Sequence, residues 1–235
     1  MYLPAFLSGL LPGLLLSALL PLQALAAPPP VTFEQRCERQ LLPRFEVSAR
    51  HPGFVVHNTV SARVLNTRTA HSFSGDAVLG MTASSTRADI DIGGPGFEDP
   101  ASGRECIAPH ITVELSYQPL DVYVARELHP ASCSYREVIA HEMLHVKIYL
   151  DNLPRIEQRV RDELASRYGR QPLYAPRNKA LAMLSDQVDN WLRPFIQAEL
   201  KQVEAQQRTL DSRDENERLS HLCQGEVARL MGSTF

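Results

Sequence analysis

The sequence lacks a strong charge of either sign. Its 235 residues include 24 basic and 27 acidic side chains, which gives a formal net charge of −3. Proteins that bind nucleic acid or anionic membrane surfaces typically present an excess of basic charge. Neither kind of partner is therefore expected. Hydrophobic residues make up 44% of the chain and charged residues 22%, a composition typical of a globular protein with a buried core.

Long apolar runs are also absent, except at the N-terminus. Residues 7–26 read "LSGLLPGLLLSALLPLQALA" and end in the small-x-small pattern Ala24-Leu25-Ala26. This pattern predicts a secretory signal peptide over residues 1–26, followed by a Pro-rich lead-in over 27–43 and a single domain over 44–235. An uncleaved N-terminal anchor is the alternative, but Pro12 and Pro21 interrupt the run. We therefore expect an exported protein, periplasmic or secreted, with no stable membrane span after cleavage.

Cysteines are few, and none of them stands in a C-x-x-C spacing, which argues against a four-thiolate zinc site. An even number of cysteines in an exported chain predicts two disulfides. Four cysteines allow three pairings, and the pairing that we prefer is Cys106–Cys133 with Cys37–Cys223.

The order of elements predicts an α+β fold, with a small antiparallel sheet followed by a helical half. Residues 44–127 are β-rich, including "FVVHNTVSARVL" (54–65) and "ADIDI" (88–92). "HITVELSY" (110–117) alternates apolar and polar residues, and "QPLD" (118–121) is expected to turn it into a hairpin with "VYVARE" (122–127). "GGPGFEDPASG" (93–103) is expected to be a loop because of its glycines and prolines.

The C-terminal half, residues 134–235, is predicted to be helical. Helices are expected over 134–152, over 154–169 with Pro154 at the first helical position, and over about 178–209. "SRDE" (212–215) fits a capping box that opens a last, short helix.

The clearest functional pattern lies in "VIAHEMLHVKIY" (138–149). His141 and His145 are four residues apart, so on a helix both imidazoles can reach one ion. Glu142 lies about 100° further round the helix, where it can exchange protons with a water at that ion. Three polar groups on an apolar helix are costly to bury unless something pairs with them. The alternatives are a core helix whose histidines are satisfied by hydrogen bonds, and a zinc site that binds but does not catalyse.

"VIAHEMLHV" resembles the active-site helix of the zincin metallopeptidases. The wider "CSYREVIAHEMLH" is similar to a group of uncharacterised bacterial exported proteins regarded as zinc proteases. The resemblance implies a hydrolase with one Zn²⁺ held by His141, His145 and a third protein ligand, with Glu142 as the catalytic residue. It also implies an edge strand before the helix that holds an extended substrate, and "DVYVAREL" (121–128) is the candidate.

The third ligand is open at this stage. Asp151 stands where one zincin branch has a third histidine, which disfavours that branch, whereas a thermolysin-like arrangement takes a glutamate from the next helix. If the chain turns back at Leu153–Pro154, Glu163 comes level with His145 and is the predicted ligand. If Pro154 only kinks one long helix, Glu204 or Glu199 comes level instead. A histidine near the C-terminus, His221, is a further alternative.

The function expected from these residues is hydrolysis of peptide bonds in peptide or protein substrates outside the cytoplasm. The alternative is a non-catalytic exported or envelope binding module in which a zinc site is structural or degenerate.

Overall fold

The computed structural model describes residues 30–51, 53–68 and 78–233. Residues 32–235 form one compact unit. The predicted signal peptide, residues 1–26, lies outside the described residues. This unit begins within the predicted lead-in, where Thr32 forms a capping box with Gln35 that opens helix α1, Phe33–Gln40.

The larger sheet is built around one long central strand. Strand β6 pairs in parallel with β1 and β2 along one edge and antiparallel with β3 along the other. A smaller antiparallel sheet has the order β4–β5–β7. The strands are β1 Arg44–Arg50, β2 Val55–His57, β3 Gly80–Gly93, β4 Gly96–Asp99, β5 Arg104–Ile107, β6 His110–Val124 and β7 Leu173–Pro176.

The predicted hairpin at residues 118–121 is wrong, because β6 continues through this segment to Val124. Leu120 and Val122 are buried in the same core as the apolar residues of 110–117, because an irregularity in the pairing of β3 with β6 between Ser84 and Thr86 moves the buried positions from odd to even residues. Residues 121–123 are paired on both sides, with β2 and with β3. They are therefore not an edge strand, and the candidate substrate-binding strand at 121–128 is also wrong.

Two other segments differ in part from their predicted type. Within 54–65 only Val55–His57 is a strand, and helix α2, Ala62–Arg68, follows it. The predicted loop 93–103 contains β4. The strand predicted over 88–92 lies within β3 and is confirmed.

The C-terminal half is helical, as predicted, but its first two predicted helices are one. Helix α3 spans Cys133–Tyr168 and passes through Pro154 without ending. Helix α4, Ala180–Leu210, agrees with the predicted 178–209, and helix α5, Arg213–Ser233, follows after two residues. The order of strands followed by long helices confirms the α+β class. In the described part of the chain, no helix is both long enough and apolar enough to cross a membrane.

All four cysteines are in disulfides, but the preferred pairing is wrong. Cys37 is bonded to Cys106, and Cys133 is bonded to Cys223. The first bond joins α1 to the small sheet, and the second joins the start of α3 to α5. A pairing of Cys106 with Cys133 required the hairpin that the structure does not contain. Two disulfides are compatible with an oxidising compartment.

Helices α3 and α4 are antiparallel neighbours, and α3 packs against one face of the larger sheet. The main core lies between them and includes Val146, Leu153 and Val160 of α3 together with Leu184 and Ile196 of α4. This packing brings the middle of α3 next to the end of α4. Three of the four predicted site residues on α3, namely His141, Glu142 and His145, lie there.

Candidate metal centre

Both motif histidines are buried at the junction of three helices. His141 is 7% exposed and His145 is 6% exposed. Residue Asp211, between α4 and α5, reaches both of them: its Oδ1 lies 3.2 Å from His141 Nε2 and 2.8 Å from His145 Nε2. The two Nε2 atoms are 3.2 Å apart. These two nitrogens and one oxygen thus form a small triangle of possible metal-ligand atoms on one side of α3.

The size of this triangle fits a single ion. A tetrahedral ion bound at 2.0–2.1 Å by nitrogen and oxygen separates its ligand atoms by about 3.3 Å. The observed separations of 2.8 to 3.2 Å are close to that value. No other group of three His, Cys, Asp or Glu side chains comes this close together within the part of the chain that the structure describes.

The other nitrogen of each imidazole is also held. Gln207 Oε1 lies 2.6 Å from His145 Nδ1, and the Gln207 amide nitrogen donates to the His145 carbonyl oxygen at 3.1 Å. Glu215 Oε1 lies 3.3 Å from His141 Nδ1. Acceptors at both Nδ1 atoms favour the tautomer in which each Nε2 carries a lone pair, the usual arrangement of metal-binding histidines. With neutral rings, three acceptors face one point, and a cation there would satisfy all of them.

Without a cation, protons on the two imidazoles can satisfy the same contacts by forming hydrogen bonds to the Asp211 carboxylate. Burial lowers the pKa of His141, but its hydrogen bond with Asp211 and the charge of Glu142 raise it, and the net direction is up. The same balance raises the pKa of His145. For Asp211, burial raises the pKa, but the hydrogen bonds from the two histidines outweigh it and hold the pKa well below its usual range. The alternative prediction was a core helix whose histidines are satisfied by hydrogen bonds. That arrangement would involve the same residues, His141, His145 and Asp211.

Glu142 is buried next to strand β3. It is 4% exposed, and the Thr82 hydroxyl donates a hydrogen bond to its Oε2 at 2.7 Å. Burial raises its pKa, against the opposing effects of His145 and of the Thr82 hydrogen bond. Gly80 faces its other oxygen: a Cβ at this position would overlap Glu142 Oε1 and lie 2.7 Å from Val138 Cγ1. The absence of a side chain at Gly80 therefore leaves room for this carboxylate.

Solvent reaches the cluster from the side of Asp211. The side chain of Asp211 is 52% exposed, whereas those of the two histidines are 7% and 8% exposed. Glu215 lies on the first turn of α5, where Ser212 caps its backbone N–H at 3.3 Å. The predicted capping box is therefore half formed, because the Glu215 carboxylate contacts His141 and Arg218 instead of the backbone at Ser212.

The structure does not bring Glu163, the predicted third ligand, to the histidines. It lies on the same helix as His145, 18 residues further on, which is about 27 Å along the axis. Its side chain is 40% exposed and pairs with Arg167 at 3.2 Å. The prediction assumed a turn at Pro154, and the helix continues through that residue.

The alternative candidates also have other partners. Glu199 pairs with Arg159 at 3.0 Å, and Glu204 accepts a hydrogen bond from Tyr149 at 3.3 Å. His221 is exposed on α5. The expectation of one kinked helix followed by a reversal was nevertheless close, since Glu204 is one turn of α4 away from Gln207, the residue that is level with His145.

The sequence contains a signal for this helix pairing, but the signal does not identify Asp211. His141, His145 and Tyr149 recur every four residues on α3, and their partners Asp211, Gln207 and Glu204 recur every four and three residues on α4. Two polar rows of equal length on otherwise apolar helix faces indicate antiparallel pairing. The register between the rows depends on the reversal at residues 169–179.

The chain matches no protein-family model, no curated protein and no solved structure.

Proposed function

We propose that this protein is an exported zinc-dependent peptidase that hydrolyses peptide bonds in peptides or proteins outside the cytoplasm. The observation that supports it most is the triangle of His141 Nε2, His145 Nε2 and Asp211 Oδ1 beside the buried carboxylate of Glu142. Two of these ligands and Glu142 form the H-E-x-x-H pattern, which is typical of zinc peptidases.

The donor set favours zinc over harder cations. Two imidazole nitrogens and one carboxylate oxygen are ligands that Zn²⁺ accepts, and three protein ligands leave a fourth position for water or substrate. Mg²⁺ and Ca²⁺ are bound mainly by oxygen atoms. The half-exposed side chain of Asp211 provides an approach from solvent to that fourth position.

The proton chemistry belongs to Glu142. A bound zinc ion would supply Lewis-acid chemistry, polarising the peptide carbonyl and acidifying a water. Glu142 then takes a proton from the attacking water and passes it to the leaving amine. Both oxygens of this carboxylate face β3, with Oε2 held by Thr82 and Oε1 next to Gly80. Burial raises the pKa of Glu142, which makes its ionised form a stronger base.

Strand β3 is the best placed binding surface for the substrate. Among the described residues it pairs only with β6, so its second edge has no strand partner. Thr82 of this strand donates a hydrogen bond to Glu142, and Gly80 leaves room for the Glu142 carboxylate. An extended peptide that added to the free edge of β3 would pass close to the carboxylate.

Two disulfides support export, since such bonds persist in oxidising compartments. The predicted signal peptide is the second reason to expect a periplasmic or secreted protein. Protein isolated from that compartment should contain no free thiol.

Metal content tests the site first. Wild-type protein should bind about one Zn²⁺, and His141→Ala should abolish binding. Asp211→Asn should weaken zinc binding by about 10-fold or more, because it removes a ligand charge. Asp214→Asn is the matched control, since Asp214 is a nearby exposed aspartate of α5. Glu163→Ala should leave zinc affinity unchanged. Equal zinc affinity in Asp211→Asn and wild type would contradict the assignment of Asp211.

Activity tests the chemistry. Glu142→Gln should retain zinc and lose cleavage of casein or of a peptide library by about 10²- to 10⁴-fold, the usual contribution of a general base. If zinc is retained and no wild-type activity appears on any peptide, the non-catalytic module becomes the better interpretation. The burial of both histidines under α5 is the observation that favours that alternative.

A further inference from the structure

The two disulfides differ sharply in their access to solvent. Cys37 and Cys106 are 0% and 1% exposed. Cys133 is exposed and Cys223 is partly exposed. Cys133 therefore lies at the surface, where we expect a thiol from solution to reach its disulfide, whereas the other bond is enclosed by the core.

The accessible bond is joined to the candidate metal centre through two short segments. Cys133 is the first residue of α3, eight residues before His141. Cys223 is in α5, twelve residues after Asp211, and Glu215 lies between them. The bond therefore attaches the far end of segment 211–223 to α3. This segment contains the candidate ligand Asp211 and also Glu215, which contacts the candidate ligand His141.

The backbone at Cys223 is in a conformation that non-glycine residues seldom adopt. Cys223 and Gln224 have φ of 55° and 56°, in the left-handed region, and α5 is interrupted between Leu222 and Gly225. This conformation is unfavourable for non-glycine residues because of the contact between Cβ and the following carbonyl oxygen. Because constraints from the surrounding structure maintain such conformations, loss of the bond to Cys133 would let this segment relax.

We infer that Cys133–Cys223 is a thiol-sensitive bond that controls the metal affinity of the site, an inference that rests on the proposed zinc centre. An external thiolate attacks Cys133 Sγ, the S–S bond breaks, and Cys223 leaves as a thiolate. A second external thiol then releases Cys133 and forms the external disulfide. Two electrons pass from the external thiols to the protein. The α5 segment loses its covalent attachment to α3, and Asp211 and Glu215 are held in place less firmly.

The coupling must be reciprocal. If reduction weakens zinc binding by a given factor, zinc makes the disulfide harder to reduce by the same factor. A tenfold change in zinc affinity corresponds to a shift of about 30 mV in the two-electron midpoint potential. The effect can therefore be measured either as a change in zinc affinity or as a shift of the midpoint potential, and neither measurement needs a peptide substrate.

The experiment uses the full chain and Zn²⁺ alone. Oxidised wild-type protein is treated with reduced glutathione, capped with iodoacetamide and mapped by mass spectrometry. Capping prevents the new thiols from binding zinc themselves. We expect Cys133 and Cys223 to be capped while Cys37 and Cys106 stay bonded, and the capped protein to bind Zn²⁺ about tenfold more weakly in competition with a chromogenic chelator. Saturating Zn²⁺ should lower the midpoint potential of the accessible bond by about 30 mV.

Two double variants distinguish an effect of the accessible bond on zinc affinity from a general effect of disulfides on the stability of the fold. Replacing both Cys133 and Cys223 by serine should reproduce the weaker zinc binding. The same replacement of Cys37 and Cys106 should lower thermal stability and leave zinc affinity unchanged. If a variant does not fold, the zinc-dependent shift of the midpoint potential in wild-type protein decides.

The possible failures are distinguishable. Equal zinc affinity in the oxidised and capped proteins, no zinc-dependent shift, or prior reduction of Cys37–Cys106 overturns the inference and leaves the zinc centre intact. Failure of the oxidised protein to bind Zn²⁺ overturns the proposed function, and the inference with it.

Discussion

At the scale of single residues, the position of Glu142 depends on two residues of β3 that take no part in the proposed proton transfer. Thr82 holds one carboxylate oxygen, and Gly80 leaves space for the other. Because Glu142 is almost fully buried, a small displacement of its carboxylate would change both its proton transfer and its hydrogen bonding.

We predict that Gly80→Ala lowers peptidase activity by at least about tenfold while zinc affinity changes little. The added methyl group would overlap Glu142 Oε1 and contact Val138, which also costs about 1–3 kcal/mol of folding stability. Cleavage rate, zinc affinity and thermal unfolding are measured on the same preparation.

The matched control is Gly93→Ala, at the other end of the same strand. A Cβ there has no heavy atom within 4 Å, and the backbone does not require glycine. Activity and stability of this variant should be close to those of wild type. Equal activities of the two variants would show that Gly80 has no special role.

At the scale of elements, α3 is the feature that sequence reasoning described least well. Its two halves were predicted as separate helices because proline usually begins or ends a helix. In the structure Leu153 and Ile156, on either side of Pro154, are both buried in the same core, and that packing continues the helix. Tertiary contacts therefore outweigh the local preference of proline at this position.

We predict that Pro154→Ala raises the free energy of unfolding, by about 1–3 kcal/mol. Proline is about 3 kcal/mol less favourable than alanine inside a helix, and Pro154 is exposed, so its removal leaves no cavity. Chemical denaturation measures the change, and zinc affinity should be unaffected. If Pro154 instead ended a helix, the same substitution would be neutral or destabilising.

The register of α3 and α4 explains why Asp211 was missed. His145 is 23 residues before the end of α3, and its partner Gln207 is 27 residues after the start of α4. Helix α4 thus begins about four residues, or ~6 Å, beyond the end of α3. The extra length comes from a reversal that includes β7, which pairs with β5. A reversal symmetric about 170–176 places earlier residues, such as Glu204, opposite the histidines.

At the scale of the whole molecule, the candidate metal centre joins α3 to the α4–α5 junction. Ligands that bind only the folded state stabilise it, by about 2.7 kcal/mol at a hundredfold excess over Kd. For a domain of this size that corresponds to a rise of roughly 5–10 °C in Tm. We predict that EDTA lowers Tm by about this amount and that added Zn²⁺ restores it.

The effect of zinc on Tm should grow between pH 6 and pH 8. In the metal-free protein the pKa values of His141 and His145 are raised above the ordinary 6.5. Their contribution to stability is complete below pH 6.5 and is lost as the pH rises through the raised values. Zinc requires the deprotonated rings, so its affinity rises over the same range. A difference in Tm between zinc-loaded and EDTA-treated protein that shrinks with pH would contradict this prediction.

Much of the molecule was determined by the sequence alone. The α+β order, the extent of α4, the buried face of β6 and the position of His141, Glu142 and His145 on one helix all follow from patterns within about ten residues. Such patterns report which face of an element is apolar and which residues share that face.

Only the tertiary structure decided which distant residues meet. Contacts between residues about 60 to 90 positions apart determine how the cysteines pair, how Thr82 reaches Glu142 and how Asp211 reaches the histidines. Such contacts follow from the path of the connections and from the packing of whole faces. A shift of one helical turn exchanges Glu204 for Gln207 opposite His145, and no local pattern carries that information.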